Sequence, residues 1–64
     1  MKIRILPERN ELDLPGRQRV ADALRQLDML PGTVMVIRND ELLTDDAWVE
    51  ENDTIEIRRV MSGG

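Results

Sequence analysis

Cysteine and histidine are both absent from this 64-residue sequence, and Trp48 is its only aromatic residue. Without cysteine there is no disulfide framework, no thiolate metal ligand and no thiol nucleophile. Without histidine the chain lacks the side chain best suited to proton transfer near neutral pH, which is also the commonest metal ligand. Side-chain catalysis would therefore rest on carboxylates alone, and we expect a protein that is not an enzyme and binds neither a metal nor a cofactor of its own.

Long apolar runs are missing as well. No stretch approaches the ~20 residues that cross a bilayer, and residues 1–4 lead straight into an alternating pattern, unlike a signal peptide. We therefore expect a cytoplasmic protein with no membrane contact.

Thirteen acidic residues against nine basic ones give a net charge of -4, which argues against direct nucleic acid binding. A single domain of this length has a thin core, without room for a buried substrate pocket of roughly 300 Å³.

Alternating apolar and polar residues predict strands near both ends of the chain. Residues 2–6 and 11–14 alternate on either side of a turn at residues 7–10, which predicts an antiparallel hairpin. Residues 54–58 alternate in the same way. Each of these segments is typical of a strand with one buried face.

Apolar residues spaced by three and four positions predict one amphipathic helix in the middle of the chain. Pro31 and Gly32 mark the end of this helical segment, whereas its start near Arg17 and Gln18 lacks a strong capping residue. The predicted buried face consists of Val20, Ala23, Leu24 and Leu27.

The segment after the helix reads as two strands and a short helical turn. Residues 33–38 form a continuous apolar and β-branched run, which is typical of a strand that is covered on both faces or lies next to a partner site, and residues 41–43 predict a shorter one. Residues 44–47 resemble the capped start of one helical turn, which we expect to bring Trp48 and Val49 onto the core.

Two strands, a helix and two or three further strands predict an α+β fold. We expect a mixed four- to five-stranded sheet with one helix packed across one face, and the first and last strands side by side at its centre. This order is the β-grasp. The domain would comprise residues 1–60, and residues 61–64 would form a flexible C-terminal tail.

The sequence ends in Ser62, Gly63 and Gly64. Two terminal glycines arise by chance in roughly one chain in two hundred, although a plain flexible end or a cloning remnant would give the same residues. Because glycine has no Cβ, Gly63 and Gly64 could extend through a narrow channel, with the small Ser62 threading behind them, and let a partner approach the Gly64 carboxylate closely. That carboxylate is ionised near pH 7 and can attack the α-phosphate of ATP to give an acyl-adenylate.

Four stretches carry a resemblance to a known family, namely residues 6–9, 41–44, 52–54 and 61–64. Through them the chain resembles the ubiquitin-like β-grasp sulfur carriers of the thiamine-carrier and molybdopterin-synthase small-subunit type, and among these most of all the bacterial tRNA 2-thiouridine sulfur carriers. Only the terminal glycines are functionally diagnostic. Asn52 stands where many relatives have glycine, but asparagine tolerates left-handed backbone angles, so we expect the turn to be kept.

The resemblance implies a two-step activation at Gly64 by other proteins. A ubiquitin-activating-type adenylyltransferase would use ATP to adenylate Gly64, and sulfur from a cysteine desulfurase or rhodanese-type donor would then give a thiocarboxylate. This group would pass sulfur to an acceptor enzyme such as a tRNA thiolase, or otherwise serve thiamine or molybdopterin synthesis. The carrier itself is expected to be a monomer.

Two rival functions stay open at this stage. A ubiquitin-like protein modifier starts from the same carboxylate and ends in an isopeptide bond between Gly64 and a lysine of a target protein, and one protein can have both roles. A binding module on a β-grasp scaffold, without any C-terminal chemistry, is also compatible with the fold.

A single helix covers only one face of a sheet, so the other face is left to solvent or to a partner. We expect this open face to gain two apolar side chains from residues 34–37, and such patches often mark interaction sites. Arg58, Arg59, Val60 and Met61 would form the base of the tail that the activating enzyme binds; alternatively, Val60 and Met61 cap the core and the arginines are ordinary surface charges. The other residues expected on the open face are Lys2, Arg4, Leu6 and Glu56.

Acidic residues cluster around Trp48 in the sequence. Carboxylates suit hard cations, but the spacing matches no calcium loop, so we expect a solvated acidic edge and no metal site. Trp48 is interpreted as a core residue and not as a base-stacking platform. The acidic residues are Asp45, Asp46, Glu50, Glu51 and Asp53.

Overall fold

The computed structural model describes residues 1–60, which form one helix and two sheets. Five strands form the main sheet in the order β2-β1-β7-β4-β5, and β3 and β6 form a small second sheet. The strands are β1 (Lys2–Leu6), β2 (Asn10–Asp13), β3 (Gln18–Arg19), β4 (Val34–Arg38), β5 (Glu41–Leu43), β6 (Trp48–Val49) and β7 (Thr54–Arg59), and the helix is α1 (Val20–Gln26). The predicted α+β class, with one helix and a mixed five-stranded sheet, is confirmed.

The first and last strands of the main sheet lie side by side at its centre, as predicted. β1 and β7 are parallel, with Ile3 opposite Ile55 and Ile5 opposite Ile57. β4 runs antiparallel to β7 and places Val36 opposite Ile57. All five of these side chains are buried, because alternation along each strand sends every second residue to the same face.

Helix α1 covers this apolar face with Val20, Ala23 and Leu24, which are all buried. Burying an aliphatic side chain of the size of valine or leucine contributes about 1.5–3 kcal/mol, so the two layers hold each other together. No polar side chain is buried in the part of the chain that the structure describes. The core consists of Met1, Ile3, Ile5, Val20, Ala23, Leu24, Val36, Val49, Ile55 and Ile57.

The start of α1 is capped by backbone groups from a distant turn. Arg19 at the N-cap makes no side-chain capping bond. Instead, the Val20 N–H donates to the Ala47 carbonyl at 2.9 Å and the Ala21 N–H donates to the Asp45 carbonyl at 2.9 Å. These two bonds satisfy N–H groups that a helix start leaves unpaired, which explains why the sequence shows no local cap there.

The end of α1 is a Schellman motif. The Met29 N–H donates to the Leu24 carbonyl at 2.9 Å, and the Asp28 N–H donates to the Arg25 carbonyl at 3.1 Å. Asp28 adopts a left-handed φ of 61°, the conformation that this motif requires after the last helical residue. The helix therefore ends before Pro31 and Gly32, which had marked its end in the sequence.

Three predictions about Trp48 and the segments around it were wrong. Residues 44–47 form a turn, closed by the Ala47 N–H on the Thr44 carbonyl at 3.1 Å, and no helical turn forms there. Gln18 and Arg19, assigned to the helix start, form strand β3 and pair with β6. Trp48 is 40% exposed whereas Val49 is fully buried, so only Val49 joins the core.

An ion pair joins β4 to the turn before β7. Arg38 Nη1 donates to Asp53 Oδ2 at 2.9 Å, and the same carboxylate oxygen accepts the Glu50 N–H at 2.8 Å. The Glu50 N–H and then the Arg38 guanidinium lower the pKa of Asp53, against the opposing effect of partial burial. The side chains of Arg38 and Asp53 are 26% and 28% exposed, so the pair is largely shielded from solvent.

We expect Asp53→Asn to lower the free energy of unfolding by about 1.5 kcal/mol at pH 7, because it weakens two charge-assisted hydrogen bonds. A carboxyl whose pKa is lowered by folding contributes stability that is fully present above its unfolded pKa of about 3.9. That contribution is lost as the pH falls through the folded pKa, so the difference between wild type and variant should shrink below about pH 4. Urea unfolding curves of both proteins, recorded at pH 7 and again below about pH 4, measure this difference.

The matched control is Asp13→Asn on edge strand β2, where the carboxylate is exposed. It should change the free energy of unfolding by less than about 0.5 kcal/mol. Equal losses at pH 7 in the two variants would show that the Asp53 contacts contribute nothing special.

Candidate functional site

The candidate site is the end of β7, where the chain leaves the centre of the main sheet. β7 is flanked by β1 and β4 on its two sides, and the Val60 N–H still donates to the Thr33 carbonyl at 3.2 Å. The chain is therefore held in place up to Val60. The predicted tail residues Met61, Ser62, Gly63 and Gly64 lie outside the described residues, so their assigned roles stay predictions.

Two arginines at this end of β7 are oriented by acidic neighbours. Arg58 Nε pairs with Glu56 Oε2 at 2.9 Å, and Arg59 Nε pairs with Glu8 Oε2 at 2.7 Å. The bond from Arg59 lowers the pKa of the Glu8 carboxyl, which keeps it ionised. Exposed pairs of this kind contribute little to stability, so their main effect is to fix where the guanidinium groups lie.

The face of the sheet opposite α1 is open, as predicted. Arg58 lies in register with Leu6 of β1 and with Met35 of β4. Val34 and Val36 fall on the helix side, so Met35 and Ile37 are the two apolar residues that β4 adds to the open face. Met35 is 40% exposed and Val60 is 53% exposed, which makes the end of β7 an apolar surface bordered by arginines.

A shallow groove of about 470 Å³ lies beside the same strand end. Its walls combine apolar groups with guanidinium groups, and it opens next to the point where the chain leaves the sheet. A partner that binds the base of the tail would meet both kinds of group. The lining residues are Leu6, Pro7, Arg9, Arg58 and Arg59. Arg9 was not among the residues predicted for this site; its placement depends on the turn between β1 and β2.

The acidic residues around Trp48 do not converge. Glu50 pairs with Arg17 and Asp53 with Arg38, while the Thr44 hydroxyl donates to Asp46. Among residues 1–60 no three acidic side chains come together in a way that could hold a metal ion. In the same part of the chain the single helix, α1, has 7 residues and is too short to span a bilayer.

A cluster that the sequence did not reveal surrounds Trp48. The guanidinium carbon of Arg17 lies 4.0 Å from the centre of the indole ring, and that of Arg19 lies 4.8 Å from it. Pairing of β3 with β6 places Arg19 directly opposite Trp48. This pairing joins segments that are far apart in the sequence, so no local pattern announces it.

The family of the chain can be stated from this fold together with its comparison to known proteins. Residues 2–64 match the model of the ThiS family, and the chain belongs to that family. It is also 41% identical over 59 residues to the sulfur carrier protein TtuB of Thermus thermophilus, an alignment that covers 92% of this chain and 91% of that protein. The family resemblance inferred from the sequence is confirmed.

Proposed function

We propose that this protein is a sulfur carrier and that the α-carboxylate of Gly64 is the group that receives the sulfur. One observation carries the proposal: the ThiS family match extends through residue 64, so it includes the glycine pair that follows the central strand β7. In this role the chain is a carrier and not a catalyst, in keeping with a sequence that lacks cysteine and histidine.

The proposed chemistry begins with a separate ubiquitin-activating-type adenylyltransferase. A carboxylate oxygen of Gly64 attacks the α-phosphate of ATP and releases pyrophosphate. The terminal sulfur of a persulfide, on a cysteine desulfurase or rhodanese-type donor, then displaces AMP, and a thiol cleaves the resulting acyl disulfide to leave the thiocarboxylate. The adenylate splits one difficult substitution at the Gly64 carboxylate into two easier steps, activation by ATP and displacement of AMP by sulfur.

The glycines allow this chemistry to take place inside another protein. Gly63 and Ser62 pass through a narrow entrance because they are small, and Gly64 brings no side chain to the reacting centre. The folded domain stays outside the partner enzyme, which binds it at the end of β7. The catalytic groups and the ATP site all belong to the partner.

The base of the tail is the proposed contact for the activating enzyme. Arg58, Arg59 and Val60 are exposed there, and Met61 follows them. The groove beside β7 adds apolar walls and a third guanidinium group. A central apolar contact bordered by oriented charges is the usual composition of a specific interface.

We expect Val60→Asp and Arg58→Glu each to slow adenylation by the cognate enzyme about tenfold or more, because each puts an unpaired carboxylate into the proposed interface. Val60 is 53% exposed, so its variant should stay folded. The rate of pyrophosphate release, with the carrier at a subsaturating concentration, measures the effect. Circular dichroism checks the fold.

The control for these two variants is Arg25→Glu, which makes the same charge change as Arg58→Glu at an exposed position on α1, the helix that covers the other face of the sheet. Its adenylation rate should match wild type. Unchanged rates in both tail-base variants would remove this surface from the proposal.

For the acceptor of the sulfur we propose an enzyme of tRNA 2-thiouridine formation in the cytoplasm. The support is the resemblance to bacterial carriers of that kind, and no residue of this chain is assigned to RNA contact. Thiamine and molybdopterin synthesis are the other acceptor pathways that the family admits.

Intact mass spectrometry tests the proposal directly. After incubation with the activating enzyme, ATP and a sulfur donor, the mass should rise by about 16 Da, the exchange of one oxygen for sulfur. Omitting ATP should prevent the change. A mass that stays constant while ATP is consumed would contradict the carrier function, and adducts of much higher mass would instead identify a protein modifier.

A further inference from the structure

The Trp48 cluster contains all the aromatic surface that this sequence can offer, since Trp48 is its only aromatic residue. The indole is 40% exposed, and the guanidinium groups of Arg17 and Arg19 lie over it at 4.0 and 4.8 Å from the ring centre. Tryptophan and arginine are among the residue types most enriched in the strongest contacts of protein interfaces.

Contacts with neighbouring residues hold the Trp48 cluster in place. Arg38 Nη1 donates to the Trp48 carbonyl at 2.9 Å, and the next residue, Val49, is fully buried in the core. Arg17 is fixed by its Nε bond to Glu50 Oε2 at 2.9 Å. A partner would therefore meet a surface that is already ordered, which reduces the entropy lost on binding.

Much of the hydrogen-bonding capacity of the two arginines is unused. Within residues 1–60, Arg19 forms no salt bridge and no side-chain hydrogen bond, and Arg17 uses only Nε. A guanidinium group has five N–H donors and no acceptor, and its planar fork matches the two oxygens of a carboxylate. The ligand that fits these donors is an anion of that shape.

We propose that Arg17, Arg19 and Trp48 form a docking surface for an acidic segment of a partner protein. Carboxylates of the segment bind the two guanidinium groups, and an apolar side chain of the segment packs on the exposed part of the indole. The neighbouring Asp46 and Glu50, together with the net charge of -4, disfavour a nucleic acid, because its phosphates form a continuous line of negative charge. A short segment with two suitably placed carboxylates brings less negative charge to this surface, so the repulsion is weaker.

This surface lies at the end of the domain opposite the tail. Arg38 bonds both the Trp48 carbonyl and Asp53, and Asp53 directly precedes the first residue of β7. From there β7 runs for six residues, about 20 Å of extended chain, before the tail leaves the sheet. A partner on the Trp48 surface leaves the end of β7 uncovered, so the carrier can hold two proteins at once.

Trp48 fluorescence tests the proposal. Because the chain has no second tryptophan, the emission reports on this surface alone, and the assay needs no activating enzyme. The probe is a blocked hexapeptide of alternating glutamate and leucine, titrated into the full-length protein. We expect a saturable change in emission, and we expect the affinity for the peptide to fall as salt is added. Arg19→Gln should raise the Kd about fivefold or more, the effect of losing one strong interface contact.

The control variant is Arg25→Gln, which removes the same charge from an exposed position on α1 and should leave the Kd unchanged. The proposal is overturned if the peptide produces no change in emission, or if a lysine and leucine hexapeptide binds equally well. Equal losses in the Arg19 and Arg25 variants would reveal a general charge effect and overturn it too. Tighter binding of a ten-nucleotide uridine strand would assign the surface to phosphate instead. None of these results depends on the chemistry at Gly64.

Discussion

Deletion of Gly64 is expected to abolish adenylation and thiocarboxylate formation while the domain stays folded. The shortened chain still ends in a carboxylate, but that group is withdrawn by one residue, about 3.5 Å along an extended chain. Reacting atoms must approach to about 3–3.5 Å, and a displacement of only about 1 Å can cost a factor of roughly 10² in rate. The expected loss is therefore at least a hundredfold.

Pyrophosphate release with the cognate enzyme measures this loss, and thermal unfolding should give the same Tm for the two proteins. Gly64→Ala is the matched control, since it keeps the chain length and adds only a methyl group. Its rate should fall between those of wild type and the deletion. A deletion variant that is adenylated at the wild-type rate would mean that the carboxylate of Gly64 is not the reactive group.

Replacement of Ile57 by alanine is expected to destabilise the domain by about 2–5 kcal/mol, the usual cost of removing a large aliphatic side chain from a core. Ile57 is fully buried and lies between Ile5 of β1 and Val36 of β4, so its neighbours cannot easily close the space. A chain of 64 residues has a total stability of only about 3–10 kcal/mol. The variant should therefore be partly or wholly unfolded at 37 °C.

The control for Ile57 is Leu42→Ala on β5, where the side chain is 63% exposed on the open face. Its expected cost is below about 1 kcal/mol, because little buried area is lost. Urea unfolding curves of the two variants give the comparison. Similar midpoints would show that the core around β7 is not what holds this fold together.

The main sheet could be predicted from the sequence because its central strands each have one face on the core. Ile3 and Ile5, or Ile55 and Ile57, alternate with polar residues for that reason. The position of the first and last strands side by side at the centre followed from the order of elements. The physical rule is that period-two burial leaves a period-two sequence.

The two-residue strands β3 and β6 could not be predicted, because two residues carry no measurable period. The error at Trp48 has the same origin. Adjacent residues of a strand point to opposite faces, so with Val49 in the core Trp48 had to face outward. A prediction based on apolar character alone placed both of them inside.

The candidate site divides in the same way. The carboxylate proposed to react was accessible to sequence reasoning because that proposal depends on the terminal residues and not on the fold. The arginine-lined groove depends on the register of β7 against β1 and on the turn that carries Arg9. The Trp48 surface depends on contacts between β3 and β6, which only the three-dimensional structure provides.

The parallel pairing of β1 with β7 has a consequence for synthesis on the ribosome. The centre of the sheet cannot close until residues 54–59 have left the exit tunnel, so the nascent chain lacks a complete core until β7 has emerged. A product cut short before β7 leaves β1 and β4 without their shared neighbour and is open to proteolysis. Folding thereby selects polypeptides in which β7 is complete.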